Sequence, residues 1–216
     1  MFHNCKAVVA LAHEPNTTIF QKTVAVNDWY FGDNAFDYPM GNVQMTGKTN
    51  GAMIKGYKPR LTALAPTWSM DRIAEHSLDF WLQTEDLPRP ENRVTVDANG
   101  QIKLSYTMTN NRASQELINR LEGLLDKLYL QNHLAERQVY FASSMDIAAV
   151  GHQMGTCRFG TDPTKSVLDL NCRTHEVDNL YVVDTSFFPS SSAVNPSLTA
   201  IANAIRVGDH LKERLG

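Results

Sequence analysis

The sequence predicts an α+β fold, and three stretches carry that prediction. Mid-chain, Arg93–Asp97 and Gln101–Tyr106 alternate apolar with polar residues, and Asn99-Gly100 between them supplies the positive φ angles of a tight hairpin turn. A helical pattern follows over about 113–131, where Leu117, Leu121, Leu124, Leu125 and Leu128 recur at spacings of three and four. Near the end, Leu180-Tyr181-Val182-Val183 reads as a short buried strand, and Asn195-Pro196 opens a last helix.

The remaining elements fit around these. Residues 1–66 are rich in Gly, Asn, Thr and aromatic residues and read as strands and loops, with a loop over 36–42. Pro66 and Ser69 precede a helical pattern at about 70–77, with Ser69 as its cap. In the last helix Asn195 is a suitable N-cap and Pro196 suits the first turn, where its missing N–H is not needed. Leu198, Ile201, Ala202, Ile205 and Leu211 give that helix an apolar face. The texture changes near residue 144, which separates 1–144 from 145–216.

Composition narrows the function. The chain has 216 residues, 43% hydrophobic and 20% charged, with a formal net charge of -3. No basic stretch or known motif points to nucleic acid. No apolar run approaches the roughly 18 residues of a membrane helix. The composition is that of a soluble protein and leaves the compartment, cytoplasm or periplasm, open. Cys5, Cys157 and Cys172 are too few and too scattered for a disulfide framework, although one bridge can form.

Three places can carry chemistry. His152 is flanked by Gly151 and by Gly155 and Gly160 further on, which favours a loop where backbone approaches something closely. Asp184 follows the apolar run, where α/β sheets place ligands, and Thr185 is next to it. The helix opened by Asn195, Pro196, Ser197 and Thr199 offers unpaired N–H groups to developing negative charge. Taken singly, each has an ordinary structural explanation. Cys172 and His175 form only one short metal-type spacing, so no metal site is expected.

The order of these pieces is more informative than any one of them. Gly151-His152-Gln153-Met154-Gly155-Thr156-Cys157-Arg158-Phe159-Gly160 is followed by Asn179-Leu180-Tyr181-Val182-Val183-Asp184-Thr185-Ser186 and by Asn195-Pro196-Ser197-Leu198-Thr199. Over about 150–212 this resembles the C-terminal signature of the glucose–methanol–choline (GMC) oxidoreductases. Glu85 to Val94 resembles part of that family's substrate domain. The resemblance implies an antiparallel-sheet substrate-binding region over 1–144. It implies that 145–216 is the C-terminal returning segment of an FAD-binding α/β domain. It implies FAD as cofactor, an alcohol or sugar as substrate, and hydride transfer from the carbinol carbon to flavin N5. His152 then matches the catalytic base and Asn195 the second active-site residue. Asp184, Thr185, Asn195, Pro196, Ser197 and Thr199 fall where FAD is held.

One feature departs from the family. Its ADP-binding Gly-x-Gly-x-x-Gly is absent from the sequence. The expectation is a chain that is a portion of a longer flavoprotein, or one whose FAD-binding portion comes from a separate subunit. Reoxidation would require oxygen, a quinone or a cytochrome as a further partner. The competing reading is a non-catalytic substrate-binding module of the same fold.

Overall fold

A computed structural model describes the chain except residues 38, 58–61, 133–138, 146, 148 and 149, and except the side chains of 57, 129–132 and 139–141. In chain order its elements are β1 (Asn4–Leu11), β2 (Ala25–Val26), β3 (Asn42–Met45), α1 (Gly51–Tyr57), α2 (Thr67–Glu75), β4 (Ser77–Thr84), β5 (Arg93–Val96), β6 (Ile102–Ser105), α3 (Asn111–Asn132), β7 (Val139–Ser144) and α4 (Ser197–Leu215). The fold is mixed α and β with antiparallel sheets, as the sequence predicts. The chain divides into two compact units.

One unit comprises Cys5–Thr84 and Asn111–Met145. Its sheet has the order β2-β3-β4-β1-β7. β3 pairs antiparallel with β2 and with β4, and β1 pairs antiparallel with β7, placing Val43 opposite Leu82 and Val8 opposite Ala142. The sheet's core is Val8, Ala10, Val43, Phe80 and Leu82, closed by Ala113, Leu117, Ile118 and Leu121 of α3. These α3 positions recur at three and four, so they share one face. Leu124 and Leu125 are half-buried, whereas Leu128 is 48% exposed, so the stripe that the core covers ends before it. In the expected loop, residue 38 lies outside the described residues, and Met40 is fully buried in this core.

α2 begins earlier than the sequence suggested. Pro66 occupies its N-cap without a side-chain bond, and Ser69 lies inside the first turn. The Ser69 hydroxyl donates to the Pro66 carbonyl at 2.7 Å. It therefore satisfies an oxygen, not the orphan N–H groups that a cap serves.

The other unit comprises Met1–Asn4, Glu85–Asn110 and Asp146–Gly216. The hairpin segment is thus grouped with the C-terminal residues, and 1–144 is not one compact unit. The hairpin itself is present, with Val96 opposite Ile102. Its turn is longer than Asn99-Gly100 alone. Gly100 N–H donates to Asp97 O at 3.0 Å, Asp97 N–H donates to Gln101 O at 2.9 Å, and only Gly100 of the pair has positive φ, at 78°. This is a three-residue loop with a glycine bulge. The Asp97 carboxylate reinforces it by accepting from the N–H groups of Asn99 and Gln101.

A second core gathers Met154, Leu168, Cys172, Phe187, Phe188 and Val207. The run Leu180–Val183 is not a buried strand. Only Tyr181 bridges, to Arg173, while Leu180 and Val183 are 49% and 41% exposed. A strand needs ladder partners on its edges, and this run has one bridge. α4 also departs from expectation: Val207 is its buried residue, and Leu198, Ile201 and Ile205 are 79%, 58% and 62% exposed.

The two leucines of α3 separate core packing from surface. Leu117→Ala should cost about 2–5 kcal/mol, because it empties a fully buried site. Leu128→Ala should stay within about 0.5–1 kcal/mol. Urea unfolding midpoints measure both, and equal losses would contradict the core as described.

Candidate active site

The segment around His152 is pinned by backbone on two sides. Met1 and Met154 exchange two hydrogen bonds, each of 2.9 Å. Further along, the N–H groups of Gly155, Cys157 and Phe159 donate to the carbonyls of Thr185, Ser186 and Phe187 at 3.4, 3.0 and 3.1 Å. Gly155 has φ 83°, and a Cβ there would lie 3.1 Å from the Phe188 carbonyl and 2.4 Å from the Met1 side chain. A glycine is needed where the chain turns this way beside other backbone. Gly151, by contrast, faces open space.

Asp184 and Thr185 shape the partner side of this pairing. Asp184 caps the 3₁₀ turn Thr185–Phe187, accepting from the Ser186 N–H at 2.8 Å and from its hydroxyl. The Thr185 hydroxyl donates to the Gln153 carbonyl at 2.7 Å, next to His152. Gln153 in turn donates from Nε2 to the Val150 carbonyl at 2.6 Å. Thr185 therefore helps to fix the backbone that carries the imidazole, while the Asp184 carboxylate bonds within its own turn.

His152 is half-buried, and its ring meets a second imidazole. His152 Nδ1 lies 3.0 Å from His3 Nδ1, with the ring planes at 77°. His3 Nε2 lies 2.9 Å from the Ser191 carbonyl. His3 is fully buried. That burial lowers its pKa from 6.5 to about 4, outweighing the upward pull of the Ser191 bond and of the Asp86 charge.

Ser191 is held from behind. Its hydroxyl accepts from Asp86 N–H at 3.0 Å and donates to Asp86 O at 3.1 Å. Ser192, the next residue, has φ 52°, a conformation that a non-glycine residue keeps only where its surroundings fix it. The Asp86 carboxylate, itself fully buried, accepts from Phe2 N–H at 3.3 Å, Thr109 N–H at 3.1 Å and Thr109 Oγ at 2.6 Å. Burial and the Asp86 charge push the Tyr106 phenol pKa upward.

Asn195 is exposed and stands one residue ahead of Pro196, which occupies the N-cap of α4. Asn195 is thus not the cap, because the proline's own φ of -84° and ψ of -12° already turn the chain into the helix. Pro196 is buried, and Ser197 and Thr199 are exposed in the first turn. Pro196 makes no side-chain cap bond, and no acid stands in the first turn. Its end carries the partial positive charge of a helix N-terminus.

His175 Nε2 lies 3.2 Å from both Ser166 Oγ and Gly160 O. Among the described residues no three His, Cys, Asp or Glu side chains group to hold a metal. Cys5, Cys157 and Cys172 are all free thiols, so the bridge that the sequence left open does not form.

The family model described as GMC oxidoreductase matches residues 88–204. The chain belongs to the GMC oxidoreductase family. Among GMC relatives it is 49% identical over 145 residues to paromamine 6′-oxidase of Streptomyces fradiae, covering 62% of this chain and 26% of that protein. It is 33% identical over 137 residues to 2-methyl-1,2-propanediol dehydrogenase of Mycolicibacterium austroafricanum, covering 60% of this chain and 24% of that one. The fold matches the crystal structure of pyridoxine 4-oxidase from Mesorbium loti with a TM-score of 0.57 at 16% identity, over 99% of this chain and 44% of that chain. The chain spans about a quarter of the length of the curated relatives it matches.

Sequence reasoning singled out His152 but missed His3, Ser191 and the carboxylate role of Asp86. His3 and His152 are 149 residues apart, and no spacing rule joins them. The available signal was weak: a histidine shortly before the apolar stretch Ala7 to Ala12, and an acid just ahead of Leu87-Pro88.

His3 makes stability depend on pH. Its folded pKa of about 4 lies below the ordinary 6.5, so between those values the unfolded chain binds more protons. Stability from this group is full above 6.5 and falls as pH drops toward 4, by up to about 3 kcal/mol. His3→Asn should flatten that part of the stability curve in urea unfolding at stepped pH. An unchanged slope would contradict the buried neutral state.

Proposed function

We propose that the chain carries the catalytic base and the flavin-ring side of an FAD-dependent oxidoreductase acting on the CH–OH group of an alcohol or sugar. The observation that carries this reading is the setting of His152. It sits half-buried on a turn pinned from two sides, with its ring held by another histidine, in a chain of the GMC family. The relatives named for a diol and for the 6′ position of paromamine support the substrate class.

The residues present fit FAD. The acid-free first turn of α4 suits a flavin ring that gains negative charge, and Ser197 and Thr199 are exposed to meet it. Asp184 is exposed and is the natural acceptor for cofactor hydroxyl groups. Leu198, Ile201 and Ile205 form an apolar stripe on α4. That stripe suits cover by an FAD-binding portion, from the same polypeptide or another subunit, that supplies the ADP cradle. Bound there, FAD provides the acceptor at N5 for the hydride that leaves the carbinol carbon.

The chain's own residues handle the proton and the oxygen. Neutral His152 takes the hydroxyl proton, because hydride leaves readily only as that proton is lost. Asn195 donates a hydrogen bond to the developing alkoxide and does not titrate. A further partner, oxygen, a quinone or a cytochrome, would be needed to accept the electrons. No helix among the described residues is long and apolar enough to cross a membrane.

Stopped-flow bleaching of the flavin by substrate, read beside FAD content per protein, tests this division of labour. His152→Ala should slow flavin reduction by about 10²–10⁴-fold with FAD content near normal. Asp184→Ala should lose FAD, with the rate per bound flavin largely kept. Asn195→Ala should lower the rate per flavin less than His152→Ala. Losses in His152→Ala that follow occupancy alone would contradict the base assignment.

A further inference from the structure

We propose that His3 is a positioning residue that fixes the tautomer of His152, so that Nε2 of His152 carries the lone pair that receives the substrate's proton. This rests on the reading of His152 as the base.

The geometry decides the proton positions. A carbonyl oxygen only accepts, so the 2.9 Å contact between His3 Nε2 and Ser191 O requires a proton on that nitrogen. His3 is fully buried and stays neutral at ordinary pH, so its Nδ1 bears no proton. The proton in the 3.0 Å contact between the two Nδ1 atoms must then come from His152. Neutral His152 is therefore the Nδ1–H form, and its lone pair sits on Nε2. An imidazole side chain in water favours the opposite form, with Nε2 protonated. In that form Nε2 could not accept.

The same contact serves both states of the base. When the substrate O–H bond breaks and its proton moves to Nε2, His152 becomes an imidazolium. Its Nδ1–H still donates to His3, now as a charge-assisted bond. A carboxylate in that place would also raise the basicity of His152 strongly. A neutral imidazole orients the ring without adding a charge. Ser191 and Asp86 complete the support, since Asp86 holds the backbone on which the Ser191 carbonyl is presented.

Side-chain ¹⁵N NMR of the intact protein labelled at its seven histidines reads the tautomers directly. Signals are assigned by comparison with His152→Gln and His3→Asn. In the unsubstituted protein His152 should show a protonated Nδ1 and a bare Nε2, and His3 the reverse. His3→Leu should release His152 toward the Nε2–H form and slow flavin reduction about 10- to 100-fold. His3→Asn, whose amide oxygen can stand where Nδ1 stood, should keep the Nδ1–H form and recover most of the rate. An Nε2–H form of His152 in the unsubstituted protein would overturn the proposal, as would an unchanged tautomer in His3→Leu. If His3→Leu does not fold, the unsubstituted spectrum and His3→Asn decide. Should His152→Gln reduce flavin at the normal rate while the tautomers are as stated, the base assignment fails and the relay stands.

Discussion

A carboxylate without access to water must find donors, and the donors that Asp86 finds tie the active-site unit together. Burying an unpaired charge is costly enough that such a group either neutralises or collects hydrogen bonds. Asp86 collects them from Phe2 and from both the backbone and the hydroxyl of Thr109, while its own backbone grips the Ser191 hydroxyl. Four remote stretches of sequence are thereby fixed against one another. His3 follows Phe2 directly, and Ser191 supplies the carbonyl that His3 needs. Through its carboxylate and its backbone together, Asp86 thus holds the two stretches that place His3.

The chemistry proposed for His152 depends on how little freedom remains there. Its backbone is held by Met1 through Met154 and by the turn at Thr185–Phe187 through Gly155 and Cys157. Its ring is held by His3. Precise placement of a base contributes to rate because the reacting geometry does not have to be found anew in each turnover. At the head of α4, Asn195, Ser197 and Thr199 are exposed and the first turn holds no acid.

What the sequence disclosed follows from the range of each interaction. The hairpin was legible because Gly100 and the alternation around it are local, though the part played by Asp97 widened the turn. α3 was legible from its leucine spacing, though not the point at which Leu128 leaves the core. The run Leu180–Val183 misled because four apolar residues look alike whether or not ladder partners exist for them. Ser69 and Asn195 misled as caps because a proline took each cap position, at Pro66 and Pro196. His152 stood out through its glycine-rich surroundings. His3, Ser191 and Asp86 act across 84 to 188 residues of sequence, where no periodicity or motif operates.

The central claim is that His152, presented through Nε2, takes the proton of an alcohol whose oxygen Asn195 also holds. A crystal structure of the flavin-loaded protein with a bound substrate or unreactive alcohol measures this directly. The hydroxyl oxygen should lie within roughly 3 Å of both His152 Nε2 and the Asn195 amide, with His152 Nδ1 still against His3. A hydroxyl bound to other side chains, or a His152 ring turned so that Nδ1 faces the substrate, would contradict the account.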